Sequence, residues 1–240
     1  MTSRPVTIDG ITVRFGEQVV LAAFSTTLPE RGVVGLIGPN GAGKSTLIDV
    51  LSGAVAFSGG EIRDQDDRPL NARSLRLACA RLHQDTVVPE SSTPDEYLEL
   101  ATRRWSVGAL VFAARRRNAP CVAPPSSLLI SADVLSGTDR PLARHSGGQR
   151  RAVALEAILA QQVPIVLLDE PLTGLSDAST EAALDAIAHT AQKRLVIIAE
   201  HRLPALQVVA DTTLVLRDGR LVATLGRGQL TAEAFVTVSR

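Results

Sequence analysis

An α/β fold with a mainly parallel central sheet is predicted by three features of the sequence. Short runs rich in Val, Leu and Ile, at 32–38, 163–171 and 194–201, alternate with helix-forming segments. A glycine-rich turn, "GPNGAGKST" at 38–46, stands between the first run and a helix. The chain has 240 residues, enough to bury a sizeable core in one large α/β domain.

The elements follow in order. "VTIDGITVRFG" and "QVVLAAFSTTL" read as strands, with turns at Gly10 and Gly16. "GVVGLIG" reads as a strand buried on both faces, and a helix opens near Lys44. "GGEIRDQDDRPL" reads as a hairpin region with acidic turns. "STPDEYLELATRRW" carries a helix start: Thr93, then Pro94, Asp95 and Glu96.

Three prolines interrupt 105–127, which reads as a loop or linker, with an arginine-rich partner surface as the alternative. "SLLISADVLSG" reads as helical. A helix from "SGGQ" runs to about Ala160. The apolar strand "VPIVLLDEP", an amphipathic helix over 176–192, the strand "RLVIIAEH" and a short helix "RLPALQ" come next. "TTLVLRDGRLVATL" closes as a hairpin around Asp218–Gly219.

Composition excludes several classes. The 25 basic residues balance the 25 acidic ones, so no net charge draws the chain to nucleic acid. Cys79 and Cys121 are the only cysteines, which form neither a disulfide framework nor a metal-ligand spacing, and read as idle thiols. The opening "MTSRPVTIDG" lacks the apolar stretch of a leader, and no run reaches the ~18 apolar residues of a membrane span. A soluble chain is expected, with any membrane role exercised through a partner.

The chemistry concentrates in a few motifs. Residues 38–46 fit a phosphate loop, G-x-x-x-x-G-K-[ST], in Gly38, Gly43, Lys44 and Ser45. Its backbone N–H groups can curl around phosphate oxygens, and the helix behind it adds partial positive charge. Lys44 can reach the outer phosphates of a nucleotide, and the Ser45 hydroxyl can bind Mg²⁺. Asp169 ends a buried strand and can hold the same ion, while Glu170 stands where it could take a proton from water. His201 lies beyond the carboxyl end of another strand, facing the usual ligand crevice of such sheets; a capping role is the alternative. Gln84 alone is an ordinary polar residue; Phe15 could stack on a purine base or fill the core, and core packing is the favoured reading. His83, His145 and His189 read as ordinary polar positions.

In this order, a phosphate loop, a lone Gln, an SGGQ helix, a strand ending in Asp-Glu and a late His, the chain resembles an ABC-type ATPase, the nucleotide-binding subunit of ABC transporters. The resemblance covers nearly the whole chain and implies a phosphate-loop NTPase core. An N-terminal antiparallel β subdomain and a small helical subdomain would accompany it, the latter over about 85–150 of a single 1–240 domain. It implies ATP and Mg²⁺ as cofactors. Gly38, Pro39, Asn40, Gly41, Ala42, Gly43, Lys44, Ser45 and Thr46 would hold the nucleotide, with Phe15 stacked on adenine. Ser45, Gln84 and Asp169 would meet the metal. Glu170, His201, Lys44 and Gln84 would act in catalysis. Ser146, Gly147, Gly148 and Gln149 would form a signature that contacts ATP held by a second ATPase subunit, in a homodimer or heterodimer. Its glycines would let the backbone approach the phosphate. The remaining partner would be an integral membrane permease, with this chain peripheral on the cytoplasmic face.

Two positions depart from the family pattern: His145 stands where Leu usually opens the signature, and Ser176 where Asp usually follows Gly-Leu, with Asp177 one residue later. Residues 105–127 also depart from the expected helical segment. A soluble ABC-type ATPase outside transport, or a weakly active ATP-binding partner in a heterodimer, are the alternative readings. "AEHRL" resembles micronutrient importers and "PESSTPDEYLEL" exporter subunits, so neither direction nor substrate is assigned.

Overall fold

The computed structural model describes residues 6–64, 66–101 and 140–231. Two sheets organise them. The smaller is antiparallel: β1 (Val6–Phe15) lies between β2 (Gln18–Leu28) and β4 (Gly59–Arg63). The larger has the order β5 (Cys79–Leu82), β6 (Ile165–Asp169), β7 (Leu195–Ala199), β3 (Gly32–Ile37), β8 (Thr212–Arg217), β9 (Arg220–Gly226). Its first five strands are parallel and β9 is antiparallel.

The helices are α1 (Lys44–Leu51), α2 (Ala72–Ala78), α3 (Gly147–Leu159), α4 (Asp177–Ala191) and α5 (Leu203–Val209). Residues 94–101 are also helical, and Leu142–Arg144 form a 3₁₀ turn.

The apolar runs are buried on both faces because each face has its own cover. Val33, Ile37, Val166, Leu168, Val196 and Ile198 pack with α3, α4 and α5. Their neighbours in the strands, Val34, Leu36, Leu167 and Ile197, point the other way and pack with α1 and with Ile8, Ile11 and Leu21 of the small sheet. The small sheet is tied to the large one at the β8–β9 turn, where Ala22 N–H donates to the Gly219 carbonyl at 3.0 Å. Asp218 (φ 49°) and Gly219 (φ 72°) both have positive φ, which a two-residue hairpin turn of this hand requires.

Four sequence expectations are corrected or completed here. Gly10 makes no turn: β1 runs through it, and the register against β2 shifts between Ile8 and Ile11. It is a bulge, made possible by φ 63° at a residue without a side chain. The 59–70 hairpin has a full strand on one side and only an isolated bridge, Arg63–Pro69, on the other. Helix α2 and strand β5 were not legible. α2 has seven residues, capped by Asn71 Oδ1 accepting from Ser74 N–H at 2.9 Å, and β5 has four. Neither is long enough to show a period. The helix after His201 begins at Leu203, with Arg202 as its N-cap.

Thr93 starts its helix as expected. Its hydroxyl accepts from Glu96 N–H at 3.3 Å, and the Glu96 carboxylate accepts from Thr93 N–H at 2.9 Å. Cys79 is buried, and burial pushes its thiol up to about 12, so it is idle at neutral pH. Cys121, the 105–127 segment and the expected helix at 127–137 lie outside the described residues. Among the described residues no helix is long and apolar enough to cross a membrane.

Candidate active site

Parallel strands place their carboxyl ends on one edge, and the predicted chemistry gathers there. The phosphate loop follows β3. Gly38 has φ 150°, and a Cβ on it would lie 2.1 Å from the Leu216 carbonyl oxygen, so only glycine fits. Pro39, Asn40, Gly41 and Ser45 are exposed, and Thr46 is half-buried in the first turn of α1. Gly43 is the N-cap of α1. Ala42 turns its side chain away from the open side of the loop. It is buried in the core under the small sheet, its N–H donates to the Pro39 carbonyl, and its carbonyl accepts from Gly219.

Lys44 donates through Nζ to the carbonyls of Gly38 (2.8 Å) and Pro39 (3.0 Å), which hold the ammonium within the loop. Burial lowers its pKa, opposed by the charges of Glu170 and then Asp169.

Asp169 ends β6 and is 3% exposed. Burial raises its pKa, although a hydrogen bond from Ser45 and the charge of Arg81 both favour the carboxylate. A desolvated carboxylate beside a hydroxyl at the mouth of a phosphate loop is a pair of hard oxygen donors. Such a set suits Mg²⁺, which usually takes one or two protein oxygens and shares the rest of its sphere with phosphate and water.

Glu170 follows at a bend. Its φ is 48°, unusual for a residue with a side chain, and its N–H donates to the Ala199 carbonyl at 2.9 Å. The carboxylate is 29% exposed. Gln84 Nε2 donates to its Oε2 at 3.3 Å, and Thr173 Oγ1 donates to the same oxygen at 3.4 Å. His201 stands opposite, 62% exposed, with Nδ1 3.9 Å from Glu170 Oε1 and 3.4 Å from Glu200 Oε1. Five expected residues, Lys44, Gln84, Asp169, Glu170 and His201, are thus placed at one edge of the sheet.

The signature motif opens α3. Ser146 is its N-cap: its Oγ accepts from Gln149 N–H at 3.2 Å, and Gln149 Oε1 accepts from Ser146 N–H at 3.0 Å. The Gln149 side chain closes this capping box. The two glycines have different reasons. Gly147 is exposed, and a Cβ there would meet nothing within 4 Å. A Cβ on Gly148 would lie 2.3 Å from the carbonyl oxygen of Gly174, so this glycine is required by packing inside the chain. The adjoining departures are local. His145 caps the 3₁₀ turn, with Nδ1 3.2 Å from the Pro141 carbonyl. Ser176 is the N-cap of α4, accepting from Ser179 N–H at 3.2 Å.

Phe15 is 54% exposed at the end of β1. The core reading of this residue does not hold; its ring is available to a flat partner such as a purine.

The family model described as ABC transporter matches residues 21–173. This chain belongs to the ABC transporter family. It is the ATP-binding, ATP-hydrolysing component of such a transporter. It is 33% identical over 233 residues to a hemin import ATP-binding protein of Rhodococcus jostii, covering 95% of this chain and 77% of that one. It is 29% identical over 242 residues to a phosphonates import ATP-binding protein of Roseobacter denitrificans, covering 94% and 86%. Its fold is that of a solved ATP-binding subunit of an ABC transporter, with TM-score 0.76, 23% identity and coverage of 98% and 100%.

Sequence reasoning missed two residues of this ABC ATPase site. Arg151, one turn into α3, donates through Nη1 to the carbonyls of His83 (2.6 Å) and Gln84 (2.9 Å). Its Nη2 donates to those of Asp169 (2.8 Å) and Glu170 (3.0 Å). The only signal was the paired arginine in "GGQRR". Glu200 is 1% exposed, and its Oε1 accepts from the N–H groups of His201 (2.9 Å) and Arg202 (3.1 Å). A carboxylate so deep was hidden at the end of an apolar run, where only its position before His201 hinted at use.

Proposed function

We propose that two ATPase subunits close head to tail around two ATP molecules, each held by one phosphate loop and capped by the other subunit's signature. The observation that carries this reading is the exposed Ser146–Gly147 start of α3, which presents an unencumbered backbone outward while Gly148 is used inside the chain. The Ser146 oxygen accepts within its own cap, so its hydroxyl proton is left to donate to a partner's γ-phosphate.

In the reaction, Glu170 takes a proton from water as the water oxygen bonds to the γ-phosphorus. The bond from that phosphorus to the β–γ bridging oxygen breaks, and ADP and phosphate leave. Gln84 and Thr173 hold the carboxylate in place. Lys44 and His201 donate to the phosphoryl oxygens, where charge is held in the transition state. Ser45 and Asp169 would hold Mg²⁺, with Gln84 beside it; when bound, the ion neutralises phosphate charge. Phe15 stacks on the adenine.

Closure of the pair drives an integral membrane permease from its cytoplasmic face, with this chain bound peripherally. The chain acts as one ATPase domain, in which the region 85–150 carries the signature. Differential affinity of ATP for the closed pair supplies the shift.

The deciding experiment is light scattering of the Glu170→Gln protein with and without MgATP. A dimer that forms only with MgATP, and is lost when Ser146 is changed to Arg, is the expected result. A monomer under both conditions sinks the sandwich.

A further inference from the structure

Arg151 joins three parts of the site that are far apart in sequence. It stands on α3, five residues after the cap Ser146. One arm of its guanidinium reaches the carbonyls of His83 and Gln84, and the other those of Asp169 and Glu170. Four carbonyls converging on one planar fork is geometry that an ammonium cannot reproduce. The group is half-buried: the contacts to Asp169 and Glu170 are partly shielded from water, and those to His83 and Gln84 lie at the surface.

What it holds needs holding. Glu170 has a left-handed backbone, which persists only where its surroundings over-determine it. Its N–H is fixed by Ala199 and its carbonyl by Arg151. The Gln84 side chain reaches the Glu170 carboxylate at 3.3 Å, and the backbones of both residues are fixed by the same guanidinium. At that distance a small slip of either loop parts the pair.

We propose that Arg151 is the positioning residue of this ATPase: by bonding four carbonyls it holds the Gln84 loop and the Glu170 bend in the one register that aims the carboxylate at water. The proposal rests on the reading of Glu170 as general base. Arg151 touches no substrate and acts through Glu170.

The test is a double-mutant cycle on the full chain, using Arg151→Met, Arg151→Lys, Glu170→Gln and Arg151→Met with Glu170→Gln. Single-turnover ATP hydrolysis, steady-state kcat and KM, and MgATP affinity are read for each. Arg151→Met is expected to lower kcat at least 30-fold while KM and MgATP affinity stay within about 3-fold. Arg151→Lys recovers only part of the loss. In the Glu170→Gln background, Arg151→Met lowers the residual rate less than 3-fold, because the group it positions is already gone.

An equal loss in both backgrounds, or a KM that rises as far as kcat falls, overturns the proposal. Failure of both Arg151 variants to fold also overturns it, since the guanidinium would then be a folding element. A slow Glu170→Gln protein with a fully active Arg151→Met protein removes Arg151 alone. A fully active Glu170→Gln protein removes the base and Arg151 together.

Discussion

Gly148 lies so close to Gly174 that a Cβ on the first would fall 2.3 Å from the carbonyl oxygen of the second. This contact locks the start of α3 against the loop that follows Glu170. Gly147, one residue earlier, faces open space. Neighbouring glycines of one motif therefore serve different ends.

The two alanine variants separate these ends. Gly148→Ala overpacks the contact, at a cost of about 1–3 kcal/mol. For a chain of this size each kcal/mol lowers Tm by about 2–4 °C, and calorimetry should show that fall. Gly147→Ala should leave Tm nearly unchanged, because Gly147 is the first residue of α3 and a Cβ there meets nothing. Its ATPase rate should fall at least tenfold (on the order of 1.4 kcal/mol), since the backbone could no longer approach a partner's phosphate. A Gly147→Ala protein with full activity would detach the signature from the nucleotide.

Glu170→Gln keeps the shape of the bend and removes the proposed base. Hydrolysis should drop by roughly 10²–10⁴-fold, with MgATP affinity unchanged in a fluorescent-nucleotide displacement titration. Near-normal turnover would show that another group takes the proton.

Burial works against the charged form of Asp169. Folding raises its pKa above 3.8, with burial as the largest cause, so the folded chain binds this proton more tightly than the unfolded chain does. Its contribution to stability therefore falls as pH rises from 3.8 through the raised value. Asp169→Asn should raise the Tm of the nucleotide-free protein at pH 7, and the gain should vanish below pH 3.8. The same variant should lose Mg²⁺-dependent hydrolysis. A lower Tm at pH 7 would mean that the Ser45 bond and the Arg81 charge outweigh desolvation.

Ser176 fills its place through capping. Replacing it with Ala should cost about 1 kcal/mol, and replacing it with Asp should cost little, since both Ser and Asp are strong N-caps. Urea unfolding of the two variants decides this; no loss in Ser176→Ala would show that the cap contributes nothing.

Phe15 is exposed, so its loss should leave the fold intact. Phe15→Ala should raise the KM for ATP while Tm moves by less than about 1 °C. Aromatic stacking is worth about 0.5–1.5 kcal/mol, roughly a 2- to 12-fold change in KM. A KM unchanged for ATP would leave the adenine unstacked.

Much of the candidate site was legible because its residues are consecutive. The phosphate loop, the Asp169–Glu170 pair and the capped SGGQ start each carry their chemistry in a few adjacent positions, and the local geometry of a strand end or helix start follows from those positions alone. The five parallel strands were partly legible for a related reason: β3, β6 and β7 are buried on both faces, so their apolar runs are unbroken. α2 and β5 were not, because seven and four residues show no period.

By itself the sequence determined the fold class, the phosphate-loop pattern and the acidic pair that ends an apolar strand, since each is written in the pattern of a few consecutive residues. The tertiary structure decided the exposure of Phe15, the inward role of Ala42, the packing of Gly148 on Gly174, and the grip of Arg151 on the carbonyls of His83, Gln84, Asp169 and Glu170. The physical reason is shared. A carbonyl looks the same at every residue, so nothing in the sequence marks which ones will meet a distant side chain until the folded chain brings them together.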